Sequence, residues 1–322
     1  MWYNLNYCLQ SANNSTPINK LLRVALATVC AQVIKRGSHH YNIRGDVGVF
    51  DYYKMQKYVI LQEKRGVKVG SIGRSEWGKE LYYLHVGNSE GKQIIITGGI
   101  HAREIISAYL CCCLSVKYSE HSGVGIYFIP MLNPDGNLLV CGKAKKEEGY
   151  GKAVKINGNS EDFSLWKANG NGVDLNVNFP AKYGYGKQNV FAPAPSSYVG
   201  ENALCAKESK ALYDFTKRVQ PAVTLSYHSK GREIYWDFNQ FENRSRDKAI
   251  AKAIERVSGY KLIDGDLDSA GGYKDWCIET LKIPAYTIEI GDDKYLHPLK
   301  SWCIIEEWNA NKLIPSVLAE NI

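Results

Sequence analysis

The 322-residue chain reads as an α/β protein with a mixed central β-sheet flanked by helices, on three observations. Short apolar runs of strand length, such as Gln93–Gly98, Ala222–Tyr227 and Ala285–Ile290, are each followed by glycine or polar residues. Helical stretches alternate with these runs, and such alternation implies a largely parallel or mixed sheet covered on both faces. Hydrophobic residues make up 45% and charged residues 23%, the balance of an ordinary globular protein rather than a disordered or fibrous one.

Residues 1–48 differ in character from the rest of the chain. They are rich in Asn and Ser, then carry an apolar run over Leu21–Ile34, then become loop-like over Arg36–Gly48. They are expected to form an N-terminal extension, with residues 49–322 as the domain. The apolar run starts at Val24, behind Lys20 and Arg23; a secretory signal carries its charges at the extreme N-terminus, so an amphipathic helix is expected instead.

From Val49 a helix is expected over Asp51–Lys64, and strands over Val67–Ile72 and Leu81–Val86 joined by a hairpin connection through Ser71–Lys79. A strand over Gln93–Gly98, a helix over Glu104–Tyr118 and a strand over Val124–Pro130 come next. Gly142–Asn171 reads as a long loop, and long loops in compact domains are usually functional. Further on come a helix at Ala206–Val219, a strand at Ala222–Tyr227, a helix at Arg246–Val257, a buried strand at Ala285–Ile290 and a final helix over Ser301–Leu318.

The net charge of +7 is scattered, and no arginine-rich arm or aromatic-basic motif points to nucleic acid. No apolar stretch reaches the roughly 18–20 residues of a membrane span. The nine cysteines are odd in number and lack any C-x-x-C pair. Cys111, Cys112 and Cys113 sit side by side, point in different directions on a helix and cannot form a chelating face. That usage favours a reducing compartment, so a cytoplasmic location is expected over secretion. Oligomeric state leaves no mark in the sequence.

Three polar clusters lie at the ends of apolar strands. Gly98-Gly-Ile-His101-Ala-Arg103-Glu104 places His and Glu three residues apart at a strand-to-helix junction, where both can turn to one ion. Alone this spacing is a common surface feature. Ala222-Val-Thr-Leu-Ser-Tyr-His228-Ser229 puts a second histidine at a strand tip, a natural third ligand. Tyr286-Thr-Ile-Glu289 puts a carboxylate near the end of an apolar strand, costly unless paired or functional and suited to a general base. Sheets of this class place their sites at strand C-terminal ends.

Taken together, His101-x-x-Glu104, Val173-Asp-Leu-Asn176, His228-Ser229 and Thr287-x-Glu289 resemble the zinc carboxypeptidase family in order and separation. Asn133-Pro-Asp-Gly136 and Gly271-Gly-Tyr-Lys-Asp-Trp276 add to the likeness, which covers roughly residues 50–315. The resemblance implies the corresponding fold and one zinc ion held by His101, Glu104 and His228. It implies Glu289 as general base, and Arg103 and Asn176 as substrate contacts.

The departures from that pattern form a set. Val177 follows Asn176 where digestive carboxypeptidases carry the arginine that grips a terminal carboxylate, which disfavours ordinary C-terminal trimming. Lys167 follows Trp166 where they carry the carbonyl-polarising arginine; it keeps the charge without the planar fork and is expected to act beside Arg103. Their tyrosine before the Gly-Gly segment is matched by Leu267. Lys274 precedes Asp275 and is expected to make the pocket cationic, favouring an acidic substrate group.

Leu165-Trp-Lys-Ala-Asn and Gly172-Val-Asp-Leu-Asn-x-x-Phe-Pro-Ala181 resemble bacterial γ-D-glutamyl-L-diamino acid endopeptidases. A murein-derived peptide is therefore the expected substrate. The alternatives are a murein-peptide carboxypeptidase, a deacylase of small acidic substrates and a catalytically silent binding module. His297 is a candidate for the pocket rim. His39 and His40 are expected in a solvated loop, and His85 and His121 to be ordinary.

Overall fold

The computed structural model describes residues 50–118, 123–265 and 268–322. The 1–48 extension with its apolar run Leu21–Ile34, His39, His40, His121 and Leu267 lie outside the described residues. Helix α1 (Tyr52–Glu63) starts where the Asp51 carboxylate accepts from the Lys54 amide at 2.9 Å, satisfying a free N-terminal N–H. Then come β1 (Lys68–Arg74), β2 (Glu80–Gly87), β3 (Gln93–Thr97), α2 (Ile105–Lys117), β4 (Gly125–Ile129), α3 (Pro134–Val140) and α4 (Tyr150–Ile156). The second half holds α5 (Lys207–Val219), β5 (Val223–His228), β6 (Glu233–Tyr235), α6 (Arg244–Ser258) and β7 (Lys261–Ile263). It ends with α7 (Tyr273–Glu279), β8 (Ala285–Glu289), α8 (Ile304–Asn311) and α9 (Ile314–Glu320).

All strands among the described residues join one eight-stranded mixed sheet in the order β1-β2-β4-β3-β5-β8-β6-β7. Its centre, β4-β3-β5-β8, is parallel, whereas β2 against β4 and β6 against β8 are antiparallel. Alternate side chains feed two cores, as the two-residue strand period requires. Ile96, Leu225, Tyr286 and Ile288 pack with Leu110 of α2, Ile254 of α6 and Ile304 of α8. On the other face Ile95 and Ala285 meet Leu212 and Phe215 of α5 and Trp276 of α7. A third cluster joins Met55 of α1, Leu138 of α3, Ala153 of α4 and Trp166. From β3 the chain runs to β4 on one side and later to β5 on the other, so a crevice opens at their C-terminal ends.

Two expected elements differ. The Gly142–Asn171 stretch is not loop throughout: it contains α4, which begins beside Gly149. A Cβ there would run into the Trp77 indole, so the glycine lets that ring lie on the backbone and anchor the turn. The final helix is broken into a 3-10 turn (Ser301–Cys303), α8 and α9. Pro315 in the first turn of α9 has no N–H to continue a helix from before it.

The loop carrying Lys167 and Asp174 is anchored by a buried acid pair. Glu208, in the first turn of α5, accepts from Asn169 Nδ2 at 3.0 Å and from the Glu76 amide at 3.1 Å. Asn169 in turn accepts from the Asn171 and Val173 amides, both at 3.0 Å. Asp135 accepts from the Ser75 hydroxyl at 2.6 Å and the Trp77 amide at 2.9 Å. Burial first, and the charge of Asp135 second, push the Glu208 carboxyl up from 4.5 to about 8. The native state therefore holds a proton there that the unfolded chain releases, so this contribution is present below pH 4.5 and is lost as pH rises through about 8. Denaturant unfolding from pH 5 to 9 is expected to show stability falling along this window, with a shallower fall in Glu208→Gln; equal slopes would remove Glu208 as the cause.

Candidate metal centre and cleft

The fold brings the three polar clusters together because β3, β5 and β8 are adjacent and parallel. His228 and Glu289 are the last residues of β5 and β8 and lie directly opposite one another in register. His101 and Glu104 occupy the turn from β3 into α2. Gly98 and Gly99 make that turn possible: a Cβ on Gly98 would meet the Ser107 carbonyl at 2.6 Å, and Gly99 holds φ +58°.

His101, Glu104 and His228 are all buried, and one donor atom from each lies within 4.8 Å of the other two. His101 Nδ1 is 2.9 Å from Glu104 Oε1 and 3.0 Å from His228 Nδ1, and His228 Nδ1 is 3.1 Å from Glu104 Oε2. On its far side His101 Nε2 donates to Asp174 Oδ1 at 3.1 Å, which leaves the lone pair on Nδ1, facing the other imidazole. Two ring nitrogens and a carboxylate so crowded must share a proton or a cation among them. A tetrahedral zinc with bonds of about 2.0–2.1 Å spaces its ligands about 3.3 Å apart, close to what this cluster shows. The donor set fits zinc.

Asp174 has a role that its sequence motif contained but that no spacing argument singled out. Besides His101 it accepts from the Asn176 and Ser197 amides, both at 3.1 Å, and its Oδ2 lies 3.4 Å from Lys167 Nζ. Burial alone would raise this carboxyl, but Lys167 and His101 draw it well below the usual range. It is a fixed anion that holds the His101 ring and its tautomer. Glu104 also accepts from the Ser229 amide at 3.1 Å, tying the β3 turn to the end of β5.

Next to the triad is a cleft of about 190 Å³ lined by residues that include His101, Lys167, Asn176, Tyr235, Lys274 and Glu289. Glu289 is partly exposed at its wall, while its Oε2 is enclosed without a hydrogen-bond partner among the described residues. Burial and then the neighbouring Glu104 charge push its carboxyl from 4.5 to about 8; a divalent cation on the triad would draw it down.

Of the expected contact residues, Lys167, Asn176 and Lys274 line the cleft and Arg103 does not: its Nη1 donates to the Leu165 carbonyl at 3.4 Å. Lys274 lines the cleft with its charge already paired. Its Nζ lies 2.7 Å from Asp275 Oδ1 and donates to the Asp237 carbonyl at 2.9 Å, because the turn of α7 sets the two side chains together. Gly271, at φ +85°, packs against the Val177 carbonyl, and Gly272 donates to Asp275 Oδ2 at 3.0 Å, so α7 is seated on the Asn176 turn. His297 is outside the cleft lining, and burial holds its imidazole neutral, down to about 4. His85 pairs with Gln93 Oε1 at 3.0 Å.

A mixed α/β sheet with a two-histidine, one-carboxylate centre at its strand ends and a carboxylate beside it is the architecture of a mononuclear metal-dependent hydrolase. The chain matches the zinc carboxypeptidase family over residues 52–314 and belongs to it; the family's metal is zinc, one ion. It is 41% identical to γ-D-glutamyl-L-diamino acid endopeptidase 1 of Lysinibacillus sphaericus over 238 residues, 68% of this chain and 59% of that protein. The chain thus spans less than two thirds of that relative's length. The structure of thrombin activatable fibrinolysis inhibitor shares the fold with a TM-score of 0.69 at 21% identity, covering 90% of this chain and 82% of that one. The murein-tripeptide amidase of Escherichia coli O157 does so with a TM-score of 0.51 at 20% identity, covering 79% and 91%.

The Asp174 arrangement is directly testable. Asp174→Asn is expected to weaken zinc binding about 10- to 100-fold in chelator competition on the folded protein. Unchanged affinity would mean that Asp174 does not orient the ligand.

Proposed function

We propose that this chain is a zinc metallopeptidase that hydrolyses murein-derived peptides at the γ-D-glutamyl–diamino acid bond. The observation that carries the reading is the convergence of His101, Glu104 and His228 with Glu289 directly opposite His228 in the β5–β8 register. The substrate class rests on the likeness to the endopeptidase relative and on Val177, which offers no clamp for a terminal carboxylate.

His101, Glu104 and His228 would hold the zinc, and Asp174 would fix the His101 ring. Zinc bound there supplies a Lewis acid for the scissile carbonyl and makes water acidic enough to attack near neutral pH. Glu289 takes the proton of the attacking water and returns it to the departing amine. Lys167, held 3.4 Å from Asp174, directs a cation toward the carbonyl as negative charge develops on its oxygen. Arg103, whose Nη1 donates to the Leu165 carbonyl, would assist it from beside the cleft. Asn176 presents its amide from the turn on which α7 sits. A silent binding module would have no use for a base positioned in this way.

Seven described cysteines are free thiols, which supports work in a reducing compartment on recycled wall fragments. No described helix is long and apolar enough to cross a membrane.

Two outcomes are expected. Zinc-loaded protein given a γ-D-glutamyl-meso-diaminopimelate peptide should yield products whose masses correspond to cleavage between those two residues. Release of a C-terminal residue instead would favour a carboxypeptidase. Glu289→Gln should bind one zinc per chain yet lose about 10²–10⁴-fold in kcat, the usual scale of a general base; near-normal turnover would exclude Glu289 from that role.

A further inference from the structure

The charges in the cleft do not balance as the lysines alone suggest. Lys167 faces Asp174 at 3.4 Å and Lys274 faces Asp275 at 2.7 Å, so each cation already has an anion. Strand β6 brings in a carboxylate of a different kind. In the antiparallel β6–β8 ladder Glu233 lies opposite Glu289 and Tyr235 opposite Thr287. Ile234, between them, is fully buried in the core that also holds Ile288, so Glu233 and Tyr235 point the other way, with Thr287 and Glu289. Tyr235, Thr287 and Glu289 all line the cleft. The Tyr235 hydroxyl donates to Glu233 Oε2 at 2.8 Å, which ties that carboxylate to a cleft-lining side chain, Glu233 not being itself one of the residues that line the cleft. Gly231, at φ +149°, leaves room behind it: a Cβ there would lie 3.2 Å from Glu233 Oε2.

Two carboxylates opposite each other on one sheet face repel, and neither has an ion-pair partner among the described residues. Both would be relieved by a cation brought in by the substrate. An ammonium on a flexible side chain suits such a wall: it can donate charge-assisted hydrogen bonds to a carboxylate and a phenol oxygen together. Lysine and diaminopimelate carry that group at the far end of their side chains; a plain acidic residue does not.

We infer that Glu233, oriented by Tyr235, is the residue that reads the distal amine of the amino acid whose nitrogen is released, making the cleft selective for a diamino acid. This rests on the proposed peptidase reading for its kinetic arm only. It places the selective charge on Glu233, where the sequence reading placed it on Lys274.

The test compares γ-D-glutamyl peptides ending in L-lysine or L-norleucine, which differ by the terminal ammonium, with the zinc-loaded protein. The wild type is expected to favour the lysine peptide in kcat/KM by about tenfold or more, and Glu233→Gln to bring the ratio near one, the scale of one charge-assisted contact. Tyr235→Phe, which keeps the carboxylate but frees it, should lower the ratio by less. A ratio unchanged in Glu233→Gln, or a wild type without preference, overturns the assignment. A second arm titrates L-lysine and L-norleucine into zinc-loaded wild type and Glu233→Gln by calorimetry. Tighter binding of lysine that disappears in the variant supports the assignment even if no peptide is cleaved, in which case the proposed bond, and not the amine contact, has failed. Equal binding of both amino acids to the wild type overturns it.

Discussion

The feature on which the rest depends is the adjacency of β5 and β8, parallel and in register so that His228 and Glu289 end side by side. Next to them, on the far side of β5, β3 delivers His101 and Glu104. Four ionisable side chains therefore meet at the C-terminal ends of central strands that are otherwise apolar: Leu225, Tyr227 and Ile288 are all fully buried. Gathering two imidazoles and two carboxylates there costs several kcal/mol without a compensating charge. A divalent cation supplies that compensation, and the fold holds the donors close enough to share one.

The surrounding structure is arranged to keep those donors still. Asp174 fixes His101, the Ser229 amide fixes Glu104, and the Glu208–Asn169 network anchors the loop from which Asp174 and Lys167 come. Anything that binds the folded state alone stabilises it by mass action, so metal binding and fold stability are linked in this protein. Glu233 and Tyr235 sit on a strand fastened directly to the one that carries Glu289, so the proposed amine contact and the proposed base keep a fixed separation.

Most of this is legible in the sequence wherever a long enough run states one period. The stretches that form β3, β5 and β8 are nearly continuous apolar runs ending in a polar residue, and the ends are where the site lies. The His-x-x-Glu spacing and the later strand tip at His228 define the triad before any geometry, and the next tip supplies Glu289. Short elements are not legible: β6 is three residues long, too few to display a strand period, and with it goes Glu233. The helix α4 hides in a Gly- and Lys-rich stretch because its start depends on Trp77, seventy-odd residues earlier and brought there only by the tertiary fold. Lys274 looks available because sequence shows a charge but not its partner; Asp275, its neighbour, takes it up. Asp174 is visible within a motif, yet its action on His101 exists only in three dimensions.

The most direct test is an anomalous-scattering crystal structure of the protein grown with zinc. One strong peak is predicted, bonded to His101 Nδ1, His228 Nδ1 and Glu104 at about 2.0–2.2 Å, with Glu289 facing the remaining coordination position. A peak on other residues, or an empty triad with zinc bound elsewhere on the folded chain, would contradict the shared-cation centre.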